Sequence, residues 1–143
     1  MTRILALDVG EKTIGVAVSD ETETFALPQK TILRQEGHKR DMAALRNVIQ
    51  EQAVEEIVIG LPIMMNGTRG IQAEKSEEFA VMLRRYTNLP IHMQDERLTT
   101  SEADKLLIEA DRKRSERKQA VDSIAASLIL QTFMDKRRGG TRR

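Results

Sequence analysis

The sequence predicts an α/β domain in which a mixed sheet is layered between helices. Short apolar, β-branched runs alternate with longer amphipathic stretches along most of the chain. The first two runs are separated by only a few residues, as in a hairpin, whereas the later ones are separated by helix-length segments, as parallel strands require. No Pro/Gly/Ser-rich linker divides the 143 residues, so they are expected to share one core.

Arg3 to Val9 reads as a buried strand through Ile4, Leu5, Ala6 and Leu7, and Ile14 to Val18 as its partner across Gly10-Glu11-Lys12. Phe25 to Leu33 is a third, weaker strand interrupted by Pro28, which suits an edge. Met42 to Ala53 carries Met42, Leu45, Val48, Ile49 and Ala53 at helical spacing. Ile57 to Leu61 is a strand stopped by Pro62, and Met64 through Asn66-Gly67 to Gly70 is turn chemistry. A helix follows from Gln72 to Tyr86, with Phe79, Met82, Leu83 and Tyr86 on one side. Pro90 to Gln94 is the next strand and runs into Asp95-Glu96-Arg97. Thr99 and Glu102 have capping-box spacing, predicting a helix to Ala110, and a last helix fills Glu116 to Lys136.

Composition narrows the chemistry. Cysteine is absent, which excludes disulfides, thiolate zinc sites and a thiol nucleophile. The two histidines, His38 and His92, have no partners in sequence for a catalytic triad. Met1-Thr2-Arg3 passes straight into a short apolar run with no signal peptide or membrane span, so a soluble, cytoplasmic protein is expected. The net charge of +1 hides an asymmetry: residues 1 to 111 carry 13 Lys and Arg against 19 Asp and Glu, whereas residues 112 to 143 carry 10 against 3. Such a basic end is either a solvated helix start and tail or a footprint for nucleic acid.

Three acidic residues stand out because their surroundings are apolar or tightly patterned. Asp8 follows four apolar residues near the end of a central strand, where a carboxylate needs a cation or several donors, although a turn-starting Asp would occupy the same place. Glu96 lies at the end of another parallel strand, flanked by Asp95, a rival ligand, and Arg97, a possible ion-pair partner. Asp122 has Ala125, Ala126, Ile129 and Phe133 as its helical neighbours, while Gln119, Ser123, Ser127 and Gln131 form a separate polar row. Ligands collect beyond the carboxyl ends of parallel strands, and Asp8, Gly60-Leu61-Pro62 and Glu96 all fall at those ends. Clustered carboxylates repel unless cations neutralise them, and hard oxygen ligands suit Mg²⁺ or Mn²⁺, one or two ions, over zinc. In-line attack of water on a phosphodiester is the chemistry such a site supports.

The runs Leu5-Ala-Leu-Asp-Val-Gly-Glu-Lys-Thr-Ile-Gly-Val-Ala-Val-Ser-Asp20, Ile59-Gly-Leu-Pro62 with Asn66-Gly67, Asp95-Glu-Arg-Leu-Thr-Thr100, and Val121-Asp-Ser-Ile-Ala-Ala126 with Ile129-Leu-Gln131 together resemble the YqgF (RuvX-type) family. The resemblance covers nearly the whole chain. It implies a ribonuclease H-like fold, three layers α/β/α around a five-stranded mixed sheet with the first three strands antiparallel and the remainder parallel. It also implies a divalent-metal endonuclease whose catalytic and metal-holding carboxylates align with Asp8, Glu96 and Asp122, favouring Glu96 over Asp95. Its expected partner is structured RNA, the precursor of the small-subunit ribosomal RNA, or branched DNA in a junction resolvase; a non-catalytic RNA- or ribosome-binding module is a further alternative. A monomer or weak homodimer is expected. Lys12, Arg69, Arg97, Arg112, Lys113 and Arg114 are the candidate phosphate contacts. Thr13 and Gln94 depart from the family's frequent basic and aromatic residues at those places. The domain is expected to span 1–136, with 137–143 a disordered basic tail.

Overall fold

The structure is a computed structural model describing residues 3–64, 66–96 and 120–141. Its strands are β1 (Arg3–Val9), β2 (Thr13–Ser19), β3 (Ala26–Pro28), β4 (Ile32–Leu33), β5 (Val54–Leu61) and β6 (Ile91–Asp95), and its helices are α1 (Lys39–Glu51), α2 (Ile71–Leu83) and α3 (Ala120–Thr141). The sheet order is β3-β2-β1-β5-β6, with β4 also paired to β2. β2 runs antiparallel to β1, β3 and β4, whereas β1–β5 and β5–β6 are parallel. The predicted helix from Thr99 to Ala110 and residues 116–119 of the last predicted helix lie outside the described residues.

Alternation along the central strands builds two cores on opposite faces of one sheet. Leu5, Leu7, Val16, Val18, Ile57 and Ile59 pack with Met42 and Leu45 of α1 and Phe79 and Leu83 of α2. The residues between them, Ile4, Ala6, Ala17 and Val58, pack against Ala126, Ile129, Leu130 and Met134 of α3. The α/β/α layering expected from the periodicity is therefore present.

The third strand differs from expectation. It is two short strands, so the sheet has six strands in place of five. The pairings Ala17↔Pro28 and Ile14↔Ile32 differ in register by one residue, which marks a bulge at Gln29 to Thr31. Pro28 has no N–H to donate, and pairing resumes with Gln29 N–H donating to the Val16 carbonyl at 2.7 Å.

Element ends also shift for local reasons. Helix α1 stops at Glu51 because Ala53, expected inside it, has φ of 51° and lies in the left-handed region. Helix α2 gives way after Leu83 to i→i+3 bonds, Arg85 N–H to Met82 and Tyr86 N–H to Leu83. Strand β5 begins at Val54, three residues before the apolar run, because Glu56 continues the ladder opposite Ile4 while its carboxylate is bound by Arg137 and His92.

The basic tail expected from 137 begins within α3, which runs on to Thr141. Arg137 donates to both carboxylate oxygens of Glu56 and stacks over Phe133 at 4.5 Å, and Arg138 donates to the Glu23 carbonyl at 2.8 Å. These contacts tie the end of the helix to the amino-terminal end of β5 and to the β2–β3 turn. No helix among the described residues is long and apolar enough to cross a membrane.

Candidate active site

Asp8 is the penultimate residue of β1, and alternation places it on the α3 face after Ile4 and Ala6. The same face carries Val58 and Gly60 on β5, and Gly60 pairs with Gln94 of β6. Glu96 follows β6 directly. A Cβ added to Gly60 would lie 3.1 Å from Glu96 Cδ and 2.5 Å from Ile129 Cδ1. The absent side chain therefore lets α3 and Glu96 close in over the end of β5.

The electrostatics follow from that packing. Burial first, then the charges of Asp8 and Asp95, push the Glu96 carboxyl up to about 7 from 4.5. All three influences act in one direction, so the site gathers negative charge in a desolvated place. Hard oxygen donors crowded in this way fit a divalent cation, which would remove the repulsion. Among the described residues no three His, Asp or Glu side chains converge as a metal-holding group. Asp122 stands near the start of α3, four and seven residues before the buried Ala126 and Ile129, and its side chain lies outside those described. The course of the helix is nonetheless clear. Arg137 sits at the amino-terminal end of β5 and Ile129 against Gly60 near its carboxyl end, so α3 begins toward the edge that carries Asp8 and Glu96.

The candidate phosphate contacts divide. Lys12 is exposed at the tip of the β1–β2 hairpin, beside Glu11, whose carboxylate is held by Lys75 at 3.2 Å. Arg69 pairs with Glu77 of α2. Arg97, Arg112, Lys113 and Arg114 lie outside the described residues. Gln94 is buried on the sheet face next to Glu96, and its Nε2 has no hydrogen-bond partner.

Arg34 is a residue the sequence reading missed. Its backbone N–H donates to the Lys12 carbonyl at 2.9 Å, its Nη1 to the Gly10 carbonyl at 2.7 Å and its Nε to buried Asp41 at 3.0 Å. It also lies over the Phe79 ring at 5.5 Å. One side chain thus fixes the turn that follows Asp8 to both α1 and α2. The available signal was an Arg closing an edge strand seven residues before a first-turn Asp, which is weak.

Residues 2–136 match the family described as "RuvX: Holliday junction resolvase". The chain belongs to the RuvX family. A RuvX relative from Moorella thermoacetica, named as a candidate pre-16S rRNA nuclease, is 47% identical over 134 residues, covering 94% of this chain and 95% of that protein. A Clostridium kluyveri protein of the same name is 48% identical over 134 residues, covering 94% and 97%. Among solved structures, Thermus thermophilus RuvC in complex with a Holliday junction substrate matches with a TM-score of 0.62 at 12% identity, over 99% of this chain and 98% of that one. The likeness to RuvC shows the ribonuclease H-like fold. RuvX is a nuclease family, and the activity is that of a hydrolase.

Proposed function

We propose that this RuvX protein is a cytoplasmic, Mg²⁺- or Mn²⁺-dependent endonuclease that cuts structured RNA, with the 5′ end of precursor 16S ribosomal RNA as its substrate. The observation that carries this reading is the partly buried Glu96 carboxyl at the carboxyl edge of the sheet, within electrostatic reach of Asp8, in a chain close to half identical to relatives named for that substrate. Asp8, Glu96 and Asp122 would hold the metal. When bound, the metal supplies an activated water and stabilises the leaving oxygen of the phosphodiester. Glu96, whose proton affinity is raised by burial and by the charges of Asp8 and Asp95, would hold a cation in its deprotonated form. Gly60 leaves the space in which Glu96 sits, and Arg34 holds the turn that orients Asp8 and presents Lys12 at the rim. Lys12, Arg69, Arg97, Arg112, Lys113 and Arg114 are proposed to meet the phosphate backbone, Arg69 after exchanging Glu77 for phosphate.

The second reading is resolution of four-way DNA junctions, favoured by the family's description and by a fold shared with RuvC. Paired incisions would require two active sites related by symmetry, hence a dimer on the substrate, whereas RNA processing needs only a monomer. Cleavage of precursor ribosomal RNA and of a four-way junction, compared in Mg²⁺ and in Mn²⁺, separates the two. We expect the RNA to be cut at a defined site and Asp8→Asn, Glu96→Gln and Asp122→Asn each to lower the rate at least a thousandfold without unfolding the protein, as expected when hard metal ligands are removed. Glu96→Gln should also raise the melting temperature of the metal-free protein, because it removes a charge that burial and Asp8 oppose. Wild-type rates in the Asp8 and Asp122 variants would refute the site. Symmetric paired nicks in the junction with intact RNA would favour resolution.

A further inference from the structure

The polar row on α3 is not used by the carboxylate site, yet it hydrogen-bonds the helix to the edge of the sheet. Two of its members, eight residues apart, grip the edge formed by β3 and β4. Gln131 accepts the Ala26 N–H at 3.1 Å and donates to the Thr24 carbonyl at 3.0 Å. Ser123, only 2% exposed, donates its hydroxyl to the Gln29 carbonyl and accepts from the Thr31 hydroxyl at 2.9 Å. The direction follows from stoichiometry: a serine has one hydroxyl proton, and the carbonyl can only accept. Both partners of Ser123 belong to the bulge that shifts the edge-strand register by one residue.

We propose that Ser123, with Thr31 and the Gln29 carbonyl, positions the metal-holding end of α3 and thereby sets the place of Asp122; this rests on the divalent-metal reading above. Apolar packing of Ala126, Ile129 and Leu130 holds the helix against the sheet but resists small rotations and slides only weakly. A buried hydroxyl bonded on both sides resists them strongly, because any movement leaves groups unsatisfied away from water. Ser123 is the chain neighbour of Asp122, so the height and rotation it fixes are those of the proposed ligand. Gln131 anchors the same helix two turns further on, past Ile129, and gives an internal control. Ser123 and Thr31 are positioning residues that do not touch substrate in the proposal.

The test is Mn²⁺ binding to substrate-free protein by titration calorimetry, with thermal unfolding measured alongside. Asp122→Asn should abolish a binding site. Ser123→Ala should weaken Mn²⁺ about tenfold or more, as removal of a group that orients a ligand does. The double variant Ser123→Ala with Thr31→Val, which deletes both hydroxyls, should bind as weakly while keeping the fold. Gln131→Ala should lower the melting temperature comparably yet leave Mn²⁺ affinity within about twofold, since it loosens the helix away from the ligand. Wild-type affinity in Ser123→Ala, with binding abolished in Asp122→Asn, would overturn the positioning role. So would an equal weakening in Gln131→Ala, which would reduce Ser123 to one docking residue among several. Unchanged binding in Asp122→Asn would instead overturn the metal reading itself, and this proposal with it.

Discussion

Gly60 is the residue on which the spacing of the site turns. Its Cα lies where β5, α3 and Glu96 meet, and even a methyl group there would collide with Ile129 and crowd Glu96. Ile129 can swing its terminal methyl aside, but the Glu96 carboxyl is partly buried and repelled by the charges of Asp8 and Asp95, so displacing it changes the electrostatics of the site. Gly60→Ala should therefore cost only about 1–2 kcal/mol in chemical denaturation while lowering the cleavage rate by about tenfold or more through misplacement of the carboxylate. A variant as active as wild type would show that Glu96 tolerates displacement. At this scale the placement of Asp8 and Glu96 at the ends of parallel strands was legible, because each closes a run that periodicity marks as a strand. Arg34 was not. An arginine after Ile32-Leu33 resembles any cation at a strand end, and its meaning depends on Gly10, Lys12 and Asp41, which only the fold brings to it.

At the scale of elements, one carboxylate gathers several donors within the turn between β2 and β3. Asp20 accepts the Thr24 N–H at 2.8 Å, the Phe25 N–H at 2.9 Å and the Thr22 hydroxyl. The Thr22 hydroxyl first, and then the backbone donors, hold its pKa down to about 2 from 3.8. The folded carboxyl thus binds its proton more weakly than the unfolded one. Its contribution to stability is complete above 3.8 and is lost as the pH falls through about 2. Urea denaturation across that interval should show a shallower pH slope for Asp20→Asn than for wild type, and equal slopes would mean the turn does not depend on the charge. The hairpin, α1, α2 and the parallel strands were legible from periodicity to within a few residues. The split of the third strand was not, since a one-residue bulge leaves no trace in hydrophobic pattern and is fixed by bonds from α3.

Across the whole molecule, the division between an acidic body and a basic end is partly cancelled by folding. Arg137 is bound by Glu56 and lies 3.6 Å from Glu23, so a cation of the basic end neutralises carboxylates of the acidic body. Charge counts along a sequence cannot show this, because the partners of Arg137 lie more than eighty residues away. Arg137→Ala should lower stability by about 1 kcal/mol and leave the salt dependence of RNA binding nearly unchanged. Removing Arg112, Lys113 and Arg114 together should flatten that dependence by about 0.7–0.9 for each phosphate no longer neutralised. A flattened slope in Arg137→Ala would mean that this arginine leaves Glu56 for the nucleic acid.

The bulge at Gln29 to Thr31 bears on solubility as well as on architecture. An outer strand with Phe25, Leu27 and Leu33 exposed would ordinarily invite a second chain to pair along it. Here Pro28 offers no donor, the extra residue breaks the repeat, and side chains of α3 already occupy the Thr24, Ala26 and Gln29 backbone groups. The same insertion that gives α3 its anchor denies neighbouring molecules a template for aggregation.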